Sequence, residues 1–178
     1  MVLGRLFAPR PAAVAGKALY AKAAAKARDP AFYRDLGAAD TPEGRFELFA
    51  LHVALVLLRL KGQGEAAQET SQHLFEAFVR GLDDALRELA VGDLAVPKRM
   101  KKLGAAFYGR LRSLEQALAA RPDVGELEAV MGRTVLQGAG QGGASALAGY
   151  VDRAADRLAG SDLADLLEGR IDWPEVRA

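Results

Sequence analysis

Residues 41–64 read TPEGRFELFALHVALVLLRLKGQG, and this stretch decides the architecture. Thr41 before Pro42 is an N-cap followed by a residue suited to the first helical position, Glu43 adds a negative charge to the first turn, and Gly62-Gln63-Gly64 stops the helix after Lys61. On a helical wheel the apolar side chains cover nearly the whole circumference, leaving Glu47 on one side and His52 with Arg59 on another. A helix that is apolar all round is a buried one. It does not suit a bilayer, because a span needs about 20 predominantly apolar residues. The clean run here, Val53 to Leu58, is far shorter. The expectation is a central helix with others packed around it.

On the C-terminal side, Phe75, Phe78, Val79, Leu82, Leu86 and Leu89 recur at helical spacing and predict a helix over about 65–90. Its outer side carries Glu76 to Arg80 and Asp83 to Arg87 at i,i+4, pairs worth about 0.3 kcal/mol each. The segment Val91-Gly92-Asp93-Leu94-Ala95 turns the chain, and Pro97 opens a helix to about Ala120 with Met100, Leu103, Phe107, Leu111, Leu114 and Leu118 inward. A shorter helix follows over Val124 to Leu136, then a glycine loop over 138–143, then a helix through Leu147, Tyr150, Val151, Ala154 and Leu158. Ser161 is read as the cap of a last helix over Asp162 to Glu168, before Trp173-Pro174 ends the fold. On the N-terminal side, Pro11 opens a helix to about Arg28, where Asp29-Pro30 stops it and starts a short aromatic segment, Ala31 to Leu36.

The composition agrees with this pattern. Of 178 residues, 36 are Ala and 26 Leu against a single Ile and three Thr, so helix formers greatly outnumber the β-branched residues that favour strands. The expected fold is all-α, a single compact domain of about six to eight helices around a buried central helix. Residues 1–29 are expected to form a basic, Ala-rich N-terminal helix packed on the domain of residues 30–178. That first stretch carries Arg5, Arg10, Lys17, Lys22, Lys26 and Arg28 before any acid, but no continuous apolar region of a secretory signal. The chain is expected to be cytoplasmic and without a transmembrane segment.

Little in the sequence suits a reaction centre. There is no Cys, so thiolate nucleophiles, disulfides and cysteine metal sites are excluded. The glycines of 138–143 lack the preceding strand of a dinucleotide site and the Gly-Lys-Ser/Thr of a phosphate loop, so they read as a linker or helix entry. His52 and His73 are the only histidines. His52 reads as a hydrogen-bonded core residue, and His73, opposite Phe75, as an exposed one. The few Ser and Thr residues lie near caps or turns without a nucleophile-elbow pattern. No enzyme activity and no cofactor are expected.

Charge is more informative. Lys+Arg total 24 and Asp+Glu 23, a balance that does not suit a generally basic DNA binder. Locally, however, residues 65–93 carry seven acids against Arg80 and Arg87, whereas residues 94–112 carry Lys98, Arg99, Lys101, Lys102, Arg110 and Arg112 with no acid. On the wheel, Lys98, Lys101, Lys102 and Arg112 lie opposite the apolar stripe, with Arg99 and Arg110 on a flank. Two readings stand side by side: pairing with the preceding acidic helix, or a binding face for a partner. Gly104 and Gly109 each weaken a helix by about 1 kcal/mol relative to Ala. Gly104 is read as admitting a neighbouring helix and Gly109 as lying outward, where a partner passes.

The ordered string Leu74-Phe75-Glu76-Ala77-Phe78, Asp83 to Glu88, Val91-Gly92-Asp93, Val96-Pro97-Lys98-Arg99-Met100-Lys101-Lys102 and Phe107-Tyr108-Gly109-Arg110 resembles the ubiquinol–cytochrome c reductase chaperone family. The match is strongest over 72–112 and looser from about residue 30 to Trp173-Pro174, and the length is that of a bacterial member. The resemblance implies an all-α, non-catalytic assembly factor of the respiratory bc1 complex that binds immature cytochrome b or a similar membrane subunit. It also implies contact near the ribosome, and contact with the inner-membrane surface is a further expectation. Carried over, it implies Asp83, Asp84 and Asp93 on the acidic side and Lys98, Arg99, Lys101, Lys102 and Arg110 on the basic side as partner-binding residues, with no catalytic residue and no metal. The expected mechanism is holding, in a groove beside the central helix. The competing expectation is a ribosome-, RNA- or anionic-membrane-binding adaptor acting through the basic helix 97–112.

Overall fold

A computed structural model describes residues 10–88, 95–138 and 141–177, and among these it contains eight helices and no strand. They are α1 (Pro11–Ala27), α2 (Pro30–Arg34), α3 (Pro42–Leu60), α4 (Glu65–Glu88), α5 (Val96–Ala119), α6 (Gly125–Arg133), α7 (Gln141–Ala159) and α8 (Leu163–Leu167). Local capping chemistry sets the starts. Pro11 and Pro42 occupy first-turn positions, the Thr41 hydroxyl accepts from the Gly44 amide at 3.1 Å, and Asp29 accepts from the Ala31 amide at 3.1 Å to open α2.

As its pattern requires, α3 is the central helix. It packs against α1, α4, α5 and α7, and every residue from Ala50 to Val56 is buried. Phe49 meets Phe78 edge-on at 5.1 Å, and Phe78 meets Phe107 at 5.0 Å, so aromatic rings weld α3, α4 and α5 together. On the other side, α1 crosses α4 where a glycine on each helix permits close approach. A Cβ on Gly16 would stand 2.7 Å from the Leu74 amide nitrogen and from the His73 Cβ, and one on Gly81 would stand 2.2 Å from the Tyr20 hydroxyl.

Four sequence expectations need correction. His73 is half-buried rather than free on a polar side, because α1 covers that flank of α4; its Nδ1 lies 3.2 Å from Glu76 Oε2. Gly104 admits no neighbouring helix, since nothing lies within 4 Å of where its Cβ would be. The last helix is capped by Asp162, which accepts from the Ala164 amide at 3.0 Å, while the Ser161 hydroxyl turns back to the Arg157 carbonyl at 2.8 Å. Finally, α6 ends at Arg133 and α7 begins at Gln141, inside the run read as a loop. Gly143 explains the second shift: a Cβ there would stand 2.5 Å from the Leu36 carbonyl oxygen, so a side-chain-free first turn lets α7 pack against the chain leaving α2.

Candidate partner interface

The chemistry of the interior is structural. His52 is fully buried on α3; its Nδ1 donates to the Leu48 carbonyl at 2.7 Å, which fixes the tautomer and leaves Nε2 to accept from the Tyr150 hydroxyl at 2.8 Å. Phe32 meets Tyr150 edge-on at 4.8 Å, and Trp173 meets His52 at 4.9 Å, so α2, α3, α7 and the C-terminal segment converge on one aromatic cage. Burial pushes the imidazole down to about 4 and the Tyr150 phenol above its ordinary value, and both groups stay neutral at physiological pH. A neutral histidine with both nitrogens bonded to the protein is a tie between helices.

A second interior tie joins α3 to α5. Glu47, only 6% exposed, receives both Nε and an Nη of Arg110 in a bidentate pair, and the Arg110 guanidinium also lies 5.8 Å from the Phe46 ring centre. Burial raises the Glu47 carboxyl above its ordinary range, and the Arg110 charge opposes that rise. The space beside this pair is about 20 Å³ and is lined by α3, α5 and α6 residues including Leu51, Leu114 and Met131. That volume suits a single water. Among the described residues, α5 and α6 fill this flank of the central helix and leave no room there for a client segment.

The outer face of α5 is different. Lys98, Arg99, Lys101, Lys102 and Arg112 are all exposed, and among the described residues none has a hydrogen bond or ion pair. Pairing with the acidic helix is thus not what these charges do. On the flank of this face stands Tyr108, 58% exposed, with its ring 5.6 Å from Phe75 and 6.0 Å from Phe107. Gly109 has open space above it, as its outward position implies. On α4, Asp84 is exposed, and Asp83 is part-exposed and bonded to Arg87 at 2.7 Å. Glu76 bonds Gln72 and His73, and no bond to Arg80 forms. Asp93 lies outside the described residues. The sequence-predicted set therefore divides: Lys98, Arg99, Lys101, Lys102 and Asp84 are free surface, Asp83 is paired within its own helix, and Arg110 is held by Glu47.

Sequence reasoning missed two contributors. Tyr108 follows Phe107 by one residue and so falls about 100° off the inward stripe. An aromatic displaced onto a basic face was the available signal. The Glu47–Arg110 pair spans 63 positions, and only the acid's isolation on an apolar helix hinted that it needs a cation.

Elsewhere, a broad depression of about 660 Å³ lies between α7 and the C-terminal segment, where Arg157 pairs with Asp172 and Arg177 with Glu175. Among the described residues no group of three or more His, Asp or Glu side chains could hold a metal ion, and no helix is long and apolar enough to cross a membrane.

Comparison with known proteins decides what such a bundle is for. Residues 34–173 match the family described as ubiquinol-cytochrome C chaperone. The chain belongs to that family. The fold also superposes on the crystal structure of the Cbp3 homolog from Brucella abortus with a TM-score of 0.87 and 35% identity, covering 99% of this chain and 98% of that one. No curated protein matches the chain. Membership makes it an assembly chaperone of ubiquinol–cytochrome c reductase, the bc1 complex. The family match takes in α3 through α8, and so contains both interior ties and the whole of the exposed basic face.

Proposed function

We propose that the chain binds immature cytochrome b, or a similar apolar bc1 subunit, and holds it until assembly, at the cytoplasmic side of the inner membrane. The activity is binding, with no bond made or broken. The observation that carries the reading is the contrast within a family of chaperones between polar groups tied up in the interior and cations left without partners on α5. A surface of that kind is built to meet something else.

The acidic side, Asp83, Asp84 and Asp93, and the basic side, Lys98, Arg99, Lys101 and Lys102, serve as contacts to the client and its surroundings. Arg110 contributes by fixing α5 against Glu47. Because α5 and α6 close their flank of α3, holding takes place on the α4–α5 surface rather than beside that pair. Co-isolation from a cell that makes the bc1 complex is the test: the tagged chain recovers cytochrome b while its apocomplex is being assembled. Repeated recovery of soluble proteins with no bc1 subunit overturns the reading.

A further inference from the structure

We propose that the outward face of α5 docks the protein on an anionic phospholipid bilayer, with Lys98, Lys101, Lys102 and Arg112 over the headgroups and Tyr108 in the interfacial layer. This deepens the reading of the chain as a receiver of a membrane subunit, and rests on it. Three observations point the same way. The four cations share one side of α5, and the residues from 98 to 112 extend about 21 Å along its axis. None of them has an intramolecular partner among the described residues, and no acid occurs between residues 94 and 112 to offset them. Between them the face is low: Ala105 is exposed, and Gly109 has nothing within 4 Å of where a Cβ would stand.

Tyr108 distinguishes the kind of anionic surface. Its ring packs against Phe75 at 5.6 Å and Phe107 at 6.0 Å, which fixes it on the flank of the basic face that adjoins α4. An amphipathic ring that is 58% exposed at the edge of a row of long basic side chains suits the headgroup layer, where aromatic rings settle and lysine stems lie along apolar material with the ammonium in water. The face lacks the wide apolar stripe of an inserting helix, so attachment is electrostatic, shallow and reversible. It would place the client-binding surface of α4 and α5 beside the bilayer into which cytochrome b is inserted.

The test uses the full chain and vesicles containing no client. Sedimentation with vesicles of about one-third phosphatidylglycerol in phosphatidylcholine is expected to show binding that pure phosphatidylcholine does not, and that about 0.5 M salt abolishes. Each basic residue near such a surface contributes roughly fivefold in affinity, so Lys98→Gln with Lys101→Gln, Lys102→Gln and Arg112→Gln together lower binding at least a hundredfold. Tyr108→Ala lowers it several-fold. Lys17→Gln with Lys22→Gln, exposed cations on α1, leaves it unchanged. Unaltered thermal unfolding of these surface variants shows that they are folded.

Equal binding to neutral vesicles overturns the proposal, as does a fourfold variant that binds like the parent or an α1 pair that loses as much. So does a labelled single-stranded RNA bound through the same four residues while anionic vesicles are not bound. Recovery of cytochrome b from detergent extracts involves no vesicles. Its failure would strike at the proposed client, whereas failure of vesicle binding would strike only at the α5 face.

Discussion

Arg110 and Arg112 stand two residues apart on α5 and meet opposite circumstances. Arg110 turns inward to a bidentate bond with buried Glu47, whereas Arg112 is exposed and, among the described residues, without a partner. Their sequence contexts are nearly the same, so the difference comes from helix periodicity alone: one lies on the flank next to α3 and the other on the opposite side. The lesson extends to the whole molecule. The buried side chains of His52 and Glu47 are committed to holding helices together, and a run of cations without acidic relief is left on the outer face of α5. Stability and recognition are therefore carried by separate residues, and mutations should separate them.

The largest expected effect is on the interior, by acid. In the fold, His52 is held neutral with a pKa of about 4, among Lys26, Asp29 and Tyr150, while in the unfolded chain it titrates near its ordinary 6.5. As pH falls through 6.5 the unfolded chain takes up a proton that the folded one refuses. The stability present above 6.5 is therefore withdrawn progressively down to pH 4, by about 3 kcal/mol in total. Urea unfolding across that range shows the limb, and His52→Gln flattens it; an unchanged limb in that variant would mean that other groups carry it.

Next comes the pair that opened the comparison. Arg110→Ala leaves the Glu47 carboxylate buried without its cation and lowers stability by roughly 2–3 kcal/mol, toward the low end for a buried pair because the guanidinium keeps some access to water. Arg112→Ala shifts it by less than about 0.5 kcal/mol. Equal losses would erase the distinction between the two faces.

How much of this was legible beforehand follows from range. Helix starts at Asp29 and Thr41 were readable because a cap bonds an amide two or three residues away, and the start at Pro11 because proline suits the first turn. The burial of α3 was readable because its wheel is apolar all round. The partners of Glu47 and His52 were not, since they lie 63 and 98 positions distant and only packing brings them together. Of the candidate interface, the basic face was legible from the charges between residues 94 and 112, but the exposure of Tyr108 and the capture of Arg110 were not. Gly104 and Gly109 carry the reverse lesson. A glycine inside a helix suggests a close neighbour, and that holds at Gly16 and Gly81, where α1 crosses α4, yet α5 has only open space at both positions.

The glycines sharpen the comparison further. Gly16→Ala forces a methyl against the Leu74 amide and His73, and the resulting overpacking lowers stability by about 2 kcal/mol. Gly109→Ala meets nothing and raises stability by up to about 1 kcal/mol through helix propensity. Thermal unfolding of the two variants, moving in opposite directions, checks both; a destabilised Gly109→Ala would mean that the outer face of α5 is covered within the free protein.

The most direct measurement is the amount of assembled bc1 complex and of cytochrome b in cells with and without the gene. Deletion should lower both, and re-expression of the chain should restore them, while other respiratory complexes keep their levels. Normal bc1 content in the deletion strain, or a loss shared equally by unrelated membrane complexes, would contradict a dedicated assembly role.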